Sequence, residues 1–329
     1  MSDAAQAGTF RWGLVGYGDL AEKRVADALR QSGNLRAVWG RNFDRTKDFA
    51  LRHKIPHACT SFEELLRGDI DAVYVCTPPD SHAQYTIASA QAGKHVLVEK
   101  PMASSHEDCT AMLRAAADAK ITLGVAYYRR AFPKMIRIRE LITQGVLGVP
   151  VWAHIASHSW FAPAPDDPKS WRVKKRLSGG AGALADIGVH RLDLLDYWLP
   201  GADVKNALFT NLVNHYEVED GSSLLMQLPN GAPVQAFFSW NSKTWVDRFE
   251  MVGSEGKILV EPLDGPHLTV IRGREREEIT VPPPENAHAP CVQDFVSACL
   301  TGRPPLCDGG AGARVNRLLE ESIRLARRS

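Results

Sequence analysis

A chain of 329 residues exceeds the size at which one hydrophobic core keeps growing, so two domains are expected. With 44% hydrophobic and 23% charged residues it has the composition of an ordinary globular protein, and a formal net charge of +1 excludes an overall pull toward nucleic acid or an anionic membrane. No apolar run approaches the roughly 18 residues of a membrane span. The six cysteines form no C-x-x-C pair and read as reduced thiols of a cytoplasmic protein, not as a disulfide framework or a metal site. Met1 to Phe10 lacks the basic-then-apolar layout of a secretory signal and reads as a disordered tail.

The first ordered stretch, Arg11 to Arg24, is an apolar run that breaks into glycines and turns helical. Gly16-x-Gly18-x-x-Ala21 is the dinucleotide fingerprint in its G-x-G-x-x-A form. Gly16 permits the tight turn, Gly18 lets the backbone approach a pyrophosphate, and Ala21 lets the helix pack closely on the strand. Tyr17, Asp19 and Leu20 share the turn and are cofactor-binding candidates with them. Glycines also serve ordinary turns. The helix Ala21 to Arg30 and the apolar run Leu35 to Trp39, however, complete a βαβ unit around these.

An NAD site carries a carboxylate at the end of the second strand, yet Trp39-Gly40-Arg41 offers none. Arg41 and Arg45 stand where a 2′-phosphate would lie, which favours NADP while leaving NAD possible; the alternative is that both are solvated ends of a loop. Ser61 and Glu64 have capping-box spacing. Asp71 to Pro79 reads as a buried parallel strand whose end, Thr77 and Pro78, approaches the nicotinamide side. His82 opens the next helix, as a cofactor contact or as a ring bonded to backbone. That helix, Ser81 to Ala92, stops at Gly93. The strand His95 to Val98 then delivers Glu99 and Lys100 to the same sheet edge.

Ser104 to Lys120 is predicted as an amphipathic helix and Ile121 to Val125 as a strand. Ala126 to Arg130, including Tyr128, is the crossing into the second domain. A helix over Lys134 to Gln144 precedes an alternating strand, Val151 to His158. Glycine-rich Ser178 to Gly182 feeds a helix from about Leu184, in which Asp186 and His190 are four apart and share one face. By itself such a pair reads as a surface ion pair. Leu192, Leu194, Leu195, Trp198 and Leu199 would bury the opposite side. Strands are expected at Ala207 to Val213, Ser222 to Leu228, Val234 to Trp240, Phe249 to Val252 and Ile258 to Val260. Amphipathic helices close the chain at Val292 to Leu300 and Arg314 to Ala326. Aromatic strand residues such as Phe237, Trp240 and Trp245 suggest that the open sheet associates with a second subunit.

The set Gly16-x-Gly18-x-x-Ala21, Glu99-Lys100-Pro101 and Asp186-x-Gly188-x-His190 resembles the glucose–fructose oxidoreductase/inositol dehydrogenase (Gfo/Idh/MocA) family, over nearly the whole chain. The family's triple glycine stands here as Gly179-Gly180-Ala181-Gly182. The resemblance implies an α/β fold: an N-terminal Rossmann doubly wound parallel sheet over 1–127 and an α+β domain over 128–329 with a large, mainly antiparallel open sheet, the last helix returning to the Rossmann domain. It implies an NAD(P)-dependent dehydrogenase or reductase acting on a hydroxyl or carbonyl carbon of a sugar, polyol or cyclic diol. His190 is then the acid/base candidate, Lys100 polarises the substrate oxygen, and Asp186 orients the substrate or His190; Lys100 and His190 could exchange roles. Trp171 and Arg172 correspond to the loop over the substrate, and Tyr128 is assigned to the substrate side with them. Homodimers or homotetramers through the C-terminal sheet are implied, with no metal, nucleic acid or membrane partner. Two alternatives remain open: a non-catalytic nucleotide sensor or scaffold, and an oxidoreductase acting on a non-sugar carbonyl.

Overall fold

A computed structural model of the chain describes residues 9–327. These divide into two compact units: residues up to Ala131 with Glu285–Arg314, and Phe132–Pro284 with the chain from Val315 onward.

The first unit is built on a six-stranded sheet of order β3-β2-β1-β4-β5-β6. Its strands are β1 (Arg11–Val15), β2 (Asn34–Trp39), β3 (His57–Ala58), β4 (Ala72–Val75), β5 (His95–Val98) and β6 (Leu123–Val125), and all neighbours run parallel. This is the doubly wound arrangement, in which both faces are covered by helices and the strands therefore read as apolar runs. Every residue of β4 is buried. Gly13 of β1 has no room for a side chain, because a Cβ there would lie 2.8 Å from Ile70 and 2.9 Å from Leu65. Trp12 anchors the opposite face against Phe10, Tyr74 and Phe295, with ring centroids 5.2–6.4 Å apart.

Several expectations are corrected here. Residues 1–8 of the expected tail lie outside the described residues, whereas Phe10 is buried core and its carbonyl accepts from Asn34. The helix after the fingerprint opens as a π turn, Ala21–Val25, before the α-helix Ala26–Gln31. Ser61 caps the helix Phe62–Arg67 by accepting from the Glu64 amide, but Glu64 returns its carboxylate to Thr60, whose amide and hydroxyl both donate to it, and not to Ser61. The helix Ala289–Thr301 belongs to this unit. The last helix, Gly309–Ala326, is divided: Gly309 to Arg314 belong to this unit and the chain from Val315 onward to the second.

The second unit carries an eight-stranded sheet of order β14-β13-β12-β11-β7-β10-β9-β8. Its strands are β7 (Pro150–Trp160), β8 (Asp203–Thr210), β9 (Gly221–Gln227), β10 (Pro233–Ser239), β11 (Asn241–Gly253), β12 (Lys257–Val260), β13 (His267–Arg272) and β14 (Glu275–Thr280). All pairings are antiparallel except β10 with β7. One row across the sheet, Ala207, Leu224, Ala236, Ile155, Phe249 and Val260, is buried throughout. The next row, from Asn206 and Leu225 through Gln235, points to the other face, as the two-residue period requires. Helix Val189–Trp198 covers the buried face: Trp198 meets Phe249 edge to face at 4.9 Å and donates its indole N–H to the Met135 carbonyl of helix Pro133–Thr143. All ten residues of Val189–Trp198 are buried, so this helix has no polar, solvated side of the kind an amphipathic reading assigns.

Candidate active site

Strand register brings the cofactor candidates of the first unit to one edge. Val15 pairs with Trp39 and Val75, Val75 with Val98, and Val98 with Val125. The residues that follow, Gly16, Gly40, Cys76 with Thr77, and Glu99 with Lys100, therefore leave the sheet at a common carboxyl edge, where doubly wound sheets bind ligands. Gly16 adopts φ +93°, and a Cβ there would lie 2.6 Å from the Cys76 carbonyl oxygen. Its amide donates to the Trp39 carbonyl at 2.9 Å. The turn is thus locked between β2 and β4 in a conformation that favours glycine.

Gly18 differs: a Cβ built on it meets nothing within 4 Å. Open space beside a glycine at a helix start is the cradle a pyrophosphate needs, so the residues present fit a dinucleotide. Ala21 is fully buried, as close helix packing requires, and Leu20 is partly buried beside it. Asp19 pairs with Lys23 at 2.6 Å on the helix surface. Tyr17 lies across the loop after β2: its hydroxyl donates to the Asn42 carbonyl at 2.9 Å, and the Arg45 guanidinium sits 5.3 Å from its ring centre. Arg41 and Arg45 are both exposed, and the Arg45 amide caps onto the Asn42 side chain at 3.0 Å.

At the end of β4, Thr77 Oγ1 accepts from the Ser81 hydroxyl at 2.8 Å, and the Pro78 carbonyl accepts from the same hydroxyl at 3.0 Å. His82 is fully buried, with Nδ1 2.9 Å from the Pro101 carbonyl and Nε2 2.7 Å from the Thr77 carbonyl. The ring thus ties the Thr77 turn to the Lys100-Pro101 turn. Both ring nitrogens face backbone carbonyls, and burial also holds its pKa below the usual value.

Glu99 is buried beneath the same edge. Its carboxylate accepts from the Tyr74 hydroxyl at 2.7 Å and from the Lys100 amide at 3.1 Å, with the His288 ring 3.4 Å away. Burial alone would raise its pKa, but His288, Tyr74 and the charge of Lys100 together outweigh that and hold the carboxyl below its usual range. His288, only 2% exposed, reaches this position from the chain's late return to the unit and packs its ring 4.4 Å from that of Tyr128. Nothing local in the sequence marks His288, which lies 189 residues beyond Glu99. Lys100 itself is half-buried.

Tyr128 and Lys100 stand on the first unit; Trp171, Arg172, Asp186 and His190 stand on the second. A short 3-10 helix, Ser170–Val173, presents Arg172, which donates to the Asp186 carboxylate at 2.8 Å. Its guanidinium also lies 5.7 Å from the Trp171 ring centre and 6.0 Å from that of Phe161. Asp186 belongs to a π turn, Leu184–Gly188, that leads directly into Val189–Trp198, where His190 is buried.

Two buried acids fix this helical segment, and sequence reasoning identified neither. Asp247 of β11 pairs with Arg191 at 2.6 Å, while Arg191 also donates to the Ile187 carbonyl. Glu219 accepts from the Gly182 amide at 2.7 Å and the Leu184 amide at 2.9 Å. Burial pushes the Glu219 carboxyl up to about 7, against the pull of those two amides. Among the described residues, no group of histidine, cysteine, aspartate and glutamate side chains could hold a metal ion, and no helix is long and apolar enough to cross a membrane.

Comparison with known proteins agrees with this architecture. Residues 10–127 match the oxidoreductase family with an NAD-binding Rossmann fold, and residues 135–259 match the GFO/IDH/MocA C-terminal domain. The 1,5-anhydro-D-fructose reductase of Ensifer adhaerens is 30% identical over 309 residues, covering 92% of each chain. Oxidoreductase P35 of Formosa agariphila is 29% identical over 317 residues, covering 94% of this chain and 97% of that one. Among solved structures, the aldose-aldose oxidoreductase of Caulobacter crescentus complexed with glycerol superposes with a TM-score of 0.87 at 26% identity, covering 97% of this chain and 98% of that one. The chain is an oxidoreductase of the GFO/IDH/MocA family, with an NAD-binding Rossmann fold in its first unit.

Proposed function

We propose that this oxidoreductase transfers a hydride between a nicotinamide dinucleotide, NADP in preference to NAD, and a hydroxyl or carbonyl carbon of a sugar, polyol or cyclic diol. The observation that carries the reading is the common carboxyl edge, where the open space at Gly18 and the Lys100 strand end occur together. The substrate class is supported by relatives named as a reductase of 1,5-anhydro-D-fructose and as a levoglucosan dehydrogenase. The NADP preference is supported by the exposed Arg41 and Arg45 and by the absence of a carboxylate after β2.

When bound, the nicotinamide supplies or receives the hydride. The protein must move one proton and stabilise charge on the substrate oxygen. His190 takes the proton-transfer role and Lys100 holds the developing alkoxide. Asp186, held by Arg172, orients the substrate or the imidazole. Glu99 and His288 fix the backbone from which Lys100 projects. The six cysteines, scattered with no C-x-x-C pair, support a cytoplasmic location.

The test is a panel of sugars, inositols and diols assayed with NADP and NAD by absorbance of the reduced nicotinamide. Turnover on at least one member, faster with NADP, is expected. No turnover with any member and either cofactor would overturn the reading.

A further inference from the structure

We propose that Glu219 is the positioning residue for the helical segment that carries Asp186 and His190, fixing where both side chains stand for the reaction. The inference rests on the roles proposed for those two residues. It starts from a deficit: a helix start leaves backbone amides without intrahelical partners, and this one has no side-chain cap of its own, its preceding residue being Ala183. Glu219, from the loop before β9, supplies both acceptors. One carboxylate oxygen takes the Gly182 amide at 2.7 Å, and the other takes the Leu184 amide at 2.9 Å. A carboxylate at a helix N-terminus is also favoured by the peptide dipoles.

The fit is close on the other side as well. A Cβ on Gly182 would lie 2.2 Å from the Glu219 carbonyl oxygen and 2.7 Å from Val218. Gly182 therefore belongs to the same device, and the Glu219 backbone and side chain together grip the turn. Two residues after Leu184 comes Asp186, whose amide donates to the Gly182 carbonyl at 3.0 Å, so the gripped glycine is bonded to the residue it places. Neighbouring charges are engaged elsewhere: Asp220 accepts from the amides of Leu212 and Val213, Glu217 pairs with Lys174, and Arg172 with Asp186.

The test uses the full-length protein, with Glu219→Ala and the near-isosteric Glu219→Gln. Hydrogen exchange of amides 182–190 should accelerate roughly tenfold to a hundredfold in Glu219→Ala, the range when an amide such as those of Gly182 and Leu184 loses its one hydrogen bond to a charged group. The turnover number should fall by a similar factor, while NADPH affinity from fluorescence titration stays unchanged. Glu219→Gln, which keeps one acceptor, should fall between the wild type and Glu219→Ala in both measurements. Wild-type exchange and wild-type turnover in either variant would overturn the proposal; should Glu219→Ala not fold, Glu219→Gln decides alone. Accelerated exchange together with wild-type turnover in His190→Ala would leave the grip on the turn standing and remove the acid/base role of His190.

Discussion

The Arg172 guanidinium donates to the Asp186 carboxylate across 2.8 Å, tying the segment that carries Trp171 to the turn that leads into His190. Neither side chain is deeply buried, so the pair should be worth about 1 kcal/mol, toward the upper end for partly exposed ion pairs. Arg172→Ala is expected to reduce kcat/KM about fivefold, with the loss in substrate KM and none in NADPH affinity. Steady-state rates beside a cofactor titration decide this, and equal weakening of both would show that the arginine serves folding only.

His190 and Lys100 are assigned to the chemical step, where a group acting mainly in the transition state lowers turnover more than binding when removed. His190→Ala should lose about 10²–10⁴-fold in turnover at unchanged NADPH affinity. Lys100→Met should lose a similar amount and also weaken the cofactor, because it leaves the sheet at the cofactor edge. Wild-type turnover in His190→Ala would refute the acid/base role.

Arg41 and Arg45 are predicted to read a 2′-phosphate, each contact being worth about 1.5–3 kcal/mol. The double variant Arg41→Ala/Arg45→Ala should weaken NADP far more than NAD in titration calorimetry. Equal weakening would exclude them as phosphate readers. Arg45→Ala alone should have the larger effect on stacking, since its guanidinium already lies over the Tyr17 ring.

The eight-stranded sheet is predicted to carry a self-association surface. Leu208, Leu225 and Trp245 remain exposed on its strands, Trp245 by 61%. Light scattering at micromolar concentration should give a dimer or tetramer, and Leu208→Glu with Leu225→Glu should shift it toward monomer. A monomeric wild type would end the claim.

Glu219 makes stability depend on pH. Its folded pKa, about 7, lies above the ordinary glutamate value of 4.5, so the protonated form is favoured by folding. The contribution is fully present below about 4.5 and is lost as pH rises through 7, up to about 3 kcal/mol in all. Between pH 5 and 8 the wild type should therefore lose stability relative to Glu219→Gln, which cannot ionise. Parallel melting curves for the two proteins across that range would contradict the shift.

Glycine positions made the cofactor edge legible in the sequence, because a left-handed turn at Gly16 and a bare backbone at Gly18 leave few substitutes. The buried parallel strands were legible for a similar reason, being apolar along their whole length. The second sheet was harder to read. β11 spans 13 residues, but its first half, Asn241 to Trp245, is polar or exposed and carries little apolar alternation. β14, Glu275–Thr280, is a charged edge strand with almost no apolar alternation to mark it. Glu219 and His288 were invisible because their meaning lies in partners 35 to 189 residues away: the Gly182 and Leu184 amides and the Glu99 carboxylate. Arg172 and Asp186 were each marked as candidates, but their pairing across 14 residues needed the fold.

Gly40 constrains how the proposed NADP preference could be changed. A Cβ there would lie 2.1 Å from the Tyr17 ring, so an acidic residue introduced at Gly40 to favour NAD would evict the aromatic side chain that supports Arg45. Arg41, exposed and one residue further on, is the position at which a carboxylate can be introduced without disturbing that ring. Under the proposed NADP preference, a carboxylate meant to turn the protein toward NAD therefore belongs at Arg41, because at Gly40 it would first have to displace the Tyr17 side chain.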